Sequence, residues 1–258
     1  MGDLGVAPLV RRRGRLLALT FRTGRRFVLD FVPFAALILL YGELRGLVHV
    51  IRPHPYYLPQ LHAERWLFGG HVPTVDLQHW LWAGHERWLD HALLFVTNIH
   101  SVVPITLAFL LWLRRRPLFY RFAASTVVLS YAAVVTFLLY PAAPPWAAGK
   151  IGLLDVVEIG GPEGATSTGV IHGNPYAAIP SLHAGYAFMV FLMIASLTWP
   201  TRHRRLAVAA AALYPAVQSF AVVYTANHYV VDVLIGYAFA AAAYFSVRTV
   251  WRRRGFPG

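Results

Sequence analysis

The chain has 258 residues, of which 57% are hydrophobic and only 13% are charged, and its mean hydropathy is +0.52. Long apolar stretches of this kind exclude an ordinary soluble domain and indicate a membrane protein. The formal net charge is +12, but the arginines come in short clusters between apolar stretches, which argues against a nucleic-acid-binding surface. The absence of cysteine excludes disulfides, thiolate-bound zinc and thiol catalysis.

The apolar stretches predict six transmembrane helices, each near the roughly 20 residues that a bilayer requires. In chain order they are residues 27–50, 91–113, 118–140, 180–199, 206–224 and 228–250. The predicted fold class is therefore all-α, an integral-membrane six-helix bundle. Residues 51–90 contain prolines, glycines and four tryptophans, which predicts an extracytoplasmic segment with one or two short helices in the membrane interface. Packing of these short helices against the bundle is the alternative.

The arginine clusters predict the orientation of the helices, because cytoplasmic loops carry an excess of basic residues. The clusters lie before the first predicted helix, between the second and third, between the fourth and fifth, and after the sixth. Residues 1–26 and 251–258 are therefore predicted as basic cytoplasmic segments of a plasma-membrane protein. Residues 27–250 form one membrane domain in this interpretation, with extracytoplasmic segments at 51–90 and 141–179.

Two histidines stand at the start of apolar stretches. His183 closely follows Pro180, which opens the fourth predicted helix, and His228 opens the sixth. A histidine in hydrocarbon is costly and therefore indicates function. Because both helices are predicted to enter the membrane from the extracytoplasmic side, both histidines are expected within about one helical turn of that surface.

Asp232 follows His228 at a spacing of four residues, which places the two on one face of a helix. A carboxylate that holds one ring nitrogen fixes the tautomer and leaves the other nitrogen as a nucleophile or base. His183 would then act as a separate acid and base. This set suits a two-step displacement at phosphorus. A buried His–Asp pair that only ties two helices together is the structural alternative.

Several other groups are candidate ligands for a phosphate. The helix starts near Ser181 and His228 are expected to offer free backbone N–H groups and positive dipole ends. Asn174 and Tyr176 stand just before the fourth predicted helix, where a side-chain donor could reach a phosphate. The alternative for these two residues is an Asn-Pro turn that packs the loop.

The stretches PSLHAGYA, residues 180–187, and NHYVVDVLIGY, residues 227–237, resemble the second and third motifs of the type 2 phosphatidic acid phosphatase (PAP2) superfamily. The segment YPAAPPW, which begins at Tyr140, is similar to a proline-rich motif in the branch that contains the fungal inositol phosphorylceramide synthase. Tyr140 is therefore a further candidate substrate-binding residue. YGELRG, residues 41–46, and LFGGHVPT, residues 67–74, are similar to elements of bacterial members.

The resemblance implies a six-span helical bundle, an extracytoplasmic site and a phosphohistidine intermediate. It implies that His228 is the nucleophile and that Asp232 is its orienting partner. His183 would protonate the leaving oxygen and then deprotonate the incoming hydroxyl group.

The chain departs from the phosphatase members in two ways. They carry an arginine six residues before the nucleophilic histidine, where this chain has Val222, and their first motif, KxxxxxxRP, is replaced by YPAAPPW. Arg45, Arg52 and Lys150 are the candidates for the missing cation. Loss of the arginine favours a phosphodiester substrate, which carries less charge than a monoester.

These observations predict a membrane lipid phosphotransferase or phosphatase. It would pass a phosphoryl or phospho-head-group unit from a phospholipid to a polyol such as inositol, or to water. The alternatives are a simple phosphatase for phosphatidic acid or polyprenyl phosphate, a lipid-binding protein without activity, and a haem protein. The haem ligands would come from the histidines predicted within the membrane, His49, His100, His183 and His228.

The expected partners are the phospholipid, the polyol and the bilayer, and nucleic acid is not expected. No metal or other cofactor is expected, because the histidines of the segment after the first helix lack tight ligand spacing with carboxylates. These histidines are His54, His62, His71, His79, His85 and His91.

Overall fold

A computed structural model describes residues 6–160, 174–199 and 202–255, with side chains from Gly24 onward. Within these residues the chain forms ten helices and no strand, which confirms the predicted all-α class. The helices are α1 (Val6–Ile51), α2 (Leu58–Leu67), α3 (Pro73–Leu81), α4 (Trp88–Asn98), α5 (Val102–Arg114), α6 (Arg116–Leu139), α7 (Pro145–Lys150), α8 (Leu182–Thr198), α9 (Arg204–Tyr224) and α10 (Val230–Arg253). The parts of the predicted segments at residues 1–5, 161–173 and 256–258 lie outside the described residues.

The chain forms two compact units, Met1–Leu40 and Tyr41–Gly258. The first contains most of α1, which is helical from Val6 and so includes the arginine-rich segment predicted as a cytoplasmic leader. The second contains the end of α1 and all the other helices. Every residue of the candidate site belongs to this second unit.

Four of the described helices are long and apolar enough to cross a membrane: the Gly24–Ile51 part of α1, α6, α9 and α10. The pair α4 and α5 forms a fifth candidate if it is counted as one span. α8 is apolar but has only 17 residues, which extend over about 26 Å and fall short of the roughly 30 Å hydrocarbon core. The protein is therefore a multi-pass membrane protein, while the sixth span and the orientation stay predictions.

The prediction of one continuous helix over residues 91–113 is wrong. α4 ends at Asn98, α5 begins at Val102, and the two are inclined by 47°. Pro104 gives the physical reason, because in a continuous helix its ring would clash with the carbonyl group of His100, four residues earlier. The break leaves His100 at the corner between the two helices.

The predicted short helices of residues 51–90 are present as α2 and α3, and their inner faces are buried. The buried residues are Gln60, Leu61 and Glu64 of α2, which packs on α10, and Thr74 and Gln78 of α3, which packs on α9. Trp66 and Trp80 point outward and are 84% and 79% exposed. The structure thus shows that α2 and α3 pack against the bundle. Their position in the membrane interface stays a prediction.

The start of α8 meets α10 backbone against backbone. α8 packs on both α9 and α10. The N–H of Ser181 donates to the carbonyl oxygen of Asp232 at 3.1 Å. A side chain at Gly236 would overlap the carbonyl group of Ser181, so only glycine permits this approach. This close approach holds the beginnings of α8 and α10, which carry the candidate site, side by side.

Candidate active site

The structure brings the two predicted histidines into direct contact. Nδ1 of His183, in the first turn of α8, lies 3.0 Å from Nε2 of His228, just before α10. The side chains of both histidines are buried. The two residues are 45 positions apart in the chain, and a hydrogen bond joins them where the starts of two helices meet.

The tautomer of His228 follows from its other nitrogen. Nδ1 lies 3.1 Å from the carbonyl oxygen of Ala178, in the loop before α8. Since a carbonyl oxygen can only accept a hydrogen bond, Nδ1 carries the proton and Nε2 keeps its lone pair. The lone pair of His228 therefore points at His183, which donates to it through Nδ1.

Asp232 stands beside His228 but bonds mainly to the backbone. Its Oδ2 lies 3.6 Å from Nδ1 of His228, beyond ordinary hydrogen-bond length, and accepts the N–H of Tyr229 at 2.9 Å. Asp232 is fully buried. The hydrogen bond that the sequence interpretation expected from Asp232 to His228 is thus made by the carbonyl oxygen of Ala178, while the Asp232 carboxyl group lies next to the ring.

The sequence interpretation missed a second buried carboxylate, that of Glu64 in α2. Its two oxygens accept the N–H groups of Val230 and Val231 at 3.0 Å each, so Glu64 caps the start of α10 from another helix. Burial raises the pKa of Glu64, and the two N–H donors act in the opposite direction. The signal in the sequence is the spacing of three between Leu61 and Glu64, which puts the carboxylate on the inner face of α2.

The expectation of free N–H groups for phosphate at the start of α10 is wrong. The N–H groups of Tyr229, Val230 and Val231 are already bound by Asp232 and Glu64. Carboxylates take the positive end of the helix because it favours negative charge. At α8 the hydroxyl of Ser181 accepts the N–H of Ala184 at 3.3 Å, which makes Ser181 the N-cap.

A third histidine, His100, packs against His183. The centroids of the two rings lie 4.0 Å apart, and the centroids of His183 and His228 lie 5.2 Å apart. Its Nδ1 is 2.9 Å from the carbonyl oxygen of Thr97 and its Nε2 is 3.0 Å from the hydroxyl of Ser101. His100 therefore packs against His183 from the break between α4 and α5, whereas the sequence interpretation had placed it within the second predicted helix, as a candidate haem ligand.

Among the three candidate cations, Arg45 is the one with a charge that acts on His183. Its Nη2 donates to the carbonyl oxygen of Asn174 at 3.5 Å. Lys150 forms an ion pair with Glu158 at 2.5 Å and lies over the ring of Trp146. Arg52 follows the end of α1 directly, and within the described residues no hydrogen bond or ion pair joins it to the histidines.

The remaining predicted residues surround the site from the loop side. Asn174 accepts the N–H of Tyr176 at 2.9 Å in a turn, while its own buried amide nitrogen has no partner among the described residues. The ring of Tyr176 packs edge-on against His49, with centroids 5.2 Å apart. Tyr140, at the end of α6, stacks on Tyr56 with ring centroids 4.9 Å apart, and its hydroxyl donates to Oε1 of Gln60 at 3.4 Å.

Val222 fills the position of the phosphatase arginine and is fully buried. Its side chain belongs to an apolar cluster with Ala184 and Val233. Its carbonyl oxygen accepts the N–H groups of Asn227 and His228 at 2.9 and 3.1 Å. This position therefore shapes the turn before α10 and carries no charge.

Removing the Glu64 carboxylate should destabilise the protein and lower its turnover. Glu64→Ala leaves two buried N–H groups unpaired, at a cost of about 1–3 kcal/mol each. Glu64→Gln, which can accept through one oxygen only, should lie between alanine and wild type. Thermal unfolding in detergent measures the effect, with Glu86→Ala in the exposed part of the same segment as the control. Equal midpoints for Glu64→Ala and Glu86→Ala would show that the cap is dispensable.

Comparisons with known proteins indicate the family of the chain. A family model described as the PAP2 superfamily matches residues 61–246. A curated relative, phosphoinositol dihydroceramide synthase from Bacteroides thetaiotaomicron, is 28% identical over 174 residues. That alignment covers 60% of this chain and 54% of the relative, so the chain spans about half of the relative's length. No solved structure matches the chain.

The family match includes α2, which carries Glu64, and both histidine segments, and it ends within α10. Since it covers most of the chain, the protein belongs to the PAP2 superfamily.

Proposed function

We propose that this protein is a membrane lipid phosphotransferase acting through His228. It takes a phosphoryl or phospho-head-group unit from a phospholipid and passes it to a polyol such as inositol or another hydroxyl acceptor. The observation that carries the proposal is the buried contact between His183 and His228, with the His228 proton held on Nδ1 by Ala178. That arrangement leaves Nε2 as the nucleophilic atom.

The chemistry proceeds in two displacements. Nε2 of His228 attacks phosphorus, the bond from phosphorus to the leaving oxygen breaks, and His183, in its protonated imidazolium form, donates one proton to that oxygen and becomes neutral. His228 then carries the phosphorus as a phosphohistidine. In the second displacement His183 takes the proton of the acceptor hydroxyl group, whose oxygen attacks phosphorus and releases Nε2 of His228.

Substrate must part the two histidine rings before the first displacement. The lone pair of His228 is occupied by His183 at 3.0 Å. An in-line displacement places the leaving oxygen on the far side of phosphorus from the nucleophile. His183 therefore moves from the nucleophile to the leaving oxygen as the phosphate enters.

Arg45 is the cation that we assign to the phosphate. Arg45→Gln should lower kcat/KM roughly 10- to 100-fold, the value of one hydrogen bond to a charged group. Arg52→Gln and Lys150→Gln are the matched controls, because each removes one of the other candidate cations. Steady-state rates for the three variants decide the assignment, and a larger loss in Arg52→Gln or Lys150→Gln would move the phosphate site away from Arg45.

Transfer is favoured over hydrolysis by two observations. The name of the Bacteroides relative describes a synthase whose product joins phosphoinositol to a dihydroceramide. The site itself is buried, and a site that excludes water protects a phosphohistidine until an acceptor arrives. A simple lipid phosphatase is the second candidate, since its first displacement is the same.

The topology that we propose has six spans, with α8 as the short fourth span after the α4–α5 pair and α6. Both termini face the cytoplasm of a plasma-membrane protein, and the histidines lie at the extracytoplasmic face. The arginine clusters support this orientation through the positive-inside rule.

Product analysis tests the proposed function. Purified protein is incubated with phospholipids labelled in the phosphate, alone and with inositol or dihydroceramide as acceptor. The proposal predicts that an acceptor diverts label from free phosphate or free head group into a new phosphodiester. Release of free phosphate alone, unchanged by any acceptor, would favour the phosphatase.

A further inference from the structure

Arg121 is a buried cation at the end of the bundle opposite the histidines. It lies in the second turn of α6 and is only 8% exposed. Its Nη2 is 3.5 Å from the hydroxyl groups of both Ser196 and Tyr244, and its Nε has no hydrogen-bond partner among the described residues. Arg121 also contacts Sδ of Met193 at 3.8 Å and lies over the ring of Tyr244, 5.7 Å from its centroid. All these partners are neutral, so none of them supplies a negative charge that compensates the guanidinium.

The helices around Arg121 provide no counter-charge. Residues 101–154, 164–231 and 233–258 contain no aspartate or glutamate, so α5, α6, α8 and α9 have no carboxylate and α10 has only Asp232. Asp232 precedes Tyr244 by twelve residues, about 18 Å along α10. A buried charge in a membrane protein is costly without a partner, and an ionisable residue inside a span therefore indicates a binding function.

The other charges near Arg121 have the same sign. Arg248 and Arg252 act on it electrostatically. They follow Tyr244 at spacings of four and eight residues, so all three lie along one face of α10. Arg248 is half-buried and Arg252 is exposed. This end of the bundle is thus a positive cluster that an anion would neutralise.

An open groove of roughly 400 Å³ runs beside the cluster between α8 and α10. Its apolar wall includes Leu192, Trp199 and Phe245. Its polar side is formed by Ser196, Tyr244 and Arg248, and the first two are the residues that Arg121 contacts. The groove therefore has an apolar part, which suits an acyl chain, and a basic end, which suits a phosphate.

We propose that Arg121 and Arg248 bind the phosphate of an anionic phospholipid whose acyl chain lies in the groove between α8 and α10. Basic pockets between transmembrane helices are known to hold such head groups. This lipid is distinct from the substrate, because Arg248 lies sixteen residues, about 24 Å, beyond Asp232 along α10. It neutralises the buried charge and so stabilises the packing of α6, α8 and α10.

Lipid binding to delipidated protein in a neutral detergent tests the proposal. Native mass spectrometry should detect one bound phosphatidylglycerol, and this lipid should raise the unfolding temperature more than phosphatidylcholine does. Arg248→Gln should weaken the binding about tenfold, the value of one charge-assisted hydrogen bond. Arg114→Gln, which removes an exposed arginine at the end of α5, is the matched control and should bind as wild type does.

Arg121→Gln should remove the preference for phosphatidylglycerol over phosphatidylcholine. If Arg121→Gln does not fold because the residue is buried, the result for Arg248→Gln still decides the test. Equal effects of phosphatidylglycerol and phosphatidylcholine on the wild-type protein would overturn the proposal. So would unchanged affinity in Arg248→Gln. If inorganic phosphate alone stabilises the protein as much as the lipid does, the site binds a free anion and the assignment to a lipid is wrong.

Discussion

Replacing His228 with alanine is expected to abolish turnover. Without Nε2 no phosphorus–nitrogen bond can form, and removal of a covalent nucleophile lowers kcat by about a millionfold in a well-studied hydrolase. Rates with a labelled phospholipid before and after the change measure the loss. His62→Ala, an exposed histidine of α2, is the control and should keep wild-type activity.

The proposed roles of the two histidines are separable by the leaving group. His183→Ala should lose about 10²–10⁴-fold with a natural phospholipid, the usual value of general acid–base catalysis. With an aryl phosphodiester, the leaving group departs without a proton. The rate of the first displacement in His183→Ala should then be close to the wild-type rate. His228→Ala should remain inactive on both substrates. Activity in His228→Ala, or equal losses for His183→Ala on both substrates, would contradict the assignment.

Gly236→Ala is expected to be the most damaging small change outside the catalytic residues. The added Cβ would overlap the carbonyl oxygen of Ser181 and lie 3.2 Å from its carbonyl carbon. These are backbone atoms, so the overlap cannot be relieved by a change of side-chain rotamer. Overpacking of this kind costs about 1–3 kcal/mol, which exceeds the roughly 1 kcal/mol that alanine gains over glycine in a helix. Since α10 must move away from α8, the contact between His183 and His228 should lengthen and turnover should fall about a hundredfold.

Gly185→Ala is the matched control for this effect. Its added Cβ would lie 3.3 Å from the carbonyl oxygen of Gly236 and 3.4 Å from the side chain of Leu129. The neighbours need to yield by only a few tenths of an ångström, so stability and turnover should fall less than in Gly236→Ala. Thermal unfolding and steady-state rates decide the order. Wild-type behaviour of Gly236→Ala would mean that the two helix starts are not held together as described.

The sequence predicted those parts of the site that depend on local spacing or on apolar pattern. The interval of four between His228 and Asp232 placed both near the start of one helix, and the apolar stretches located α6, α8, α9 and α10 to within a few residues. The topology argument further predicted that His183 and His228 would lie at similar depth near one membrane surface, and the structure adds that the two are in direct contact.

Long-range contacts of the backbone could not be predicted in this way. The carbonyl group of Ala178 holds the His228 proton, and any residue type would offer the same oxygen. The cap that Glu64 provides depends on how α2 docks against α10, which no local pattern specifies. The break at Pro104 was present in the sequence as a helix breaker, but the apolar composition of residues 91–113 outweighed it in the prediction.

The position at which the phosphatase members carry an arginine is occupied here by the buried Val222. Val222 is packed among apolar side chains, so a longer charged residue there would need space that the cluster does not offer. Arg45 approaches the histidines from α1 instead. The cation of this protein is therefore proposed to come from a different helix from that of the phosphatase members.

Trapping the phosphorylated protein tests the central claim most directly. The protein is mixed with a phospholipid labelled in its phosphate, quenched in alkali within one turnover, and digested for mass spectrometry. The account predicts label that is lost in acid, kept in alkali and attached to His228, and absent from His228→Ala. Label on His183, or rapid turnover without any labelled protein, would contradict it.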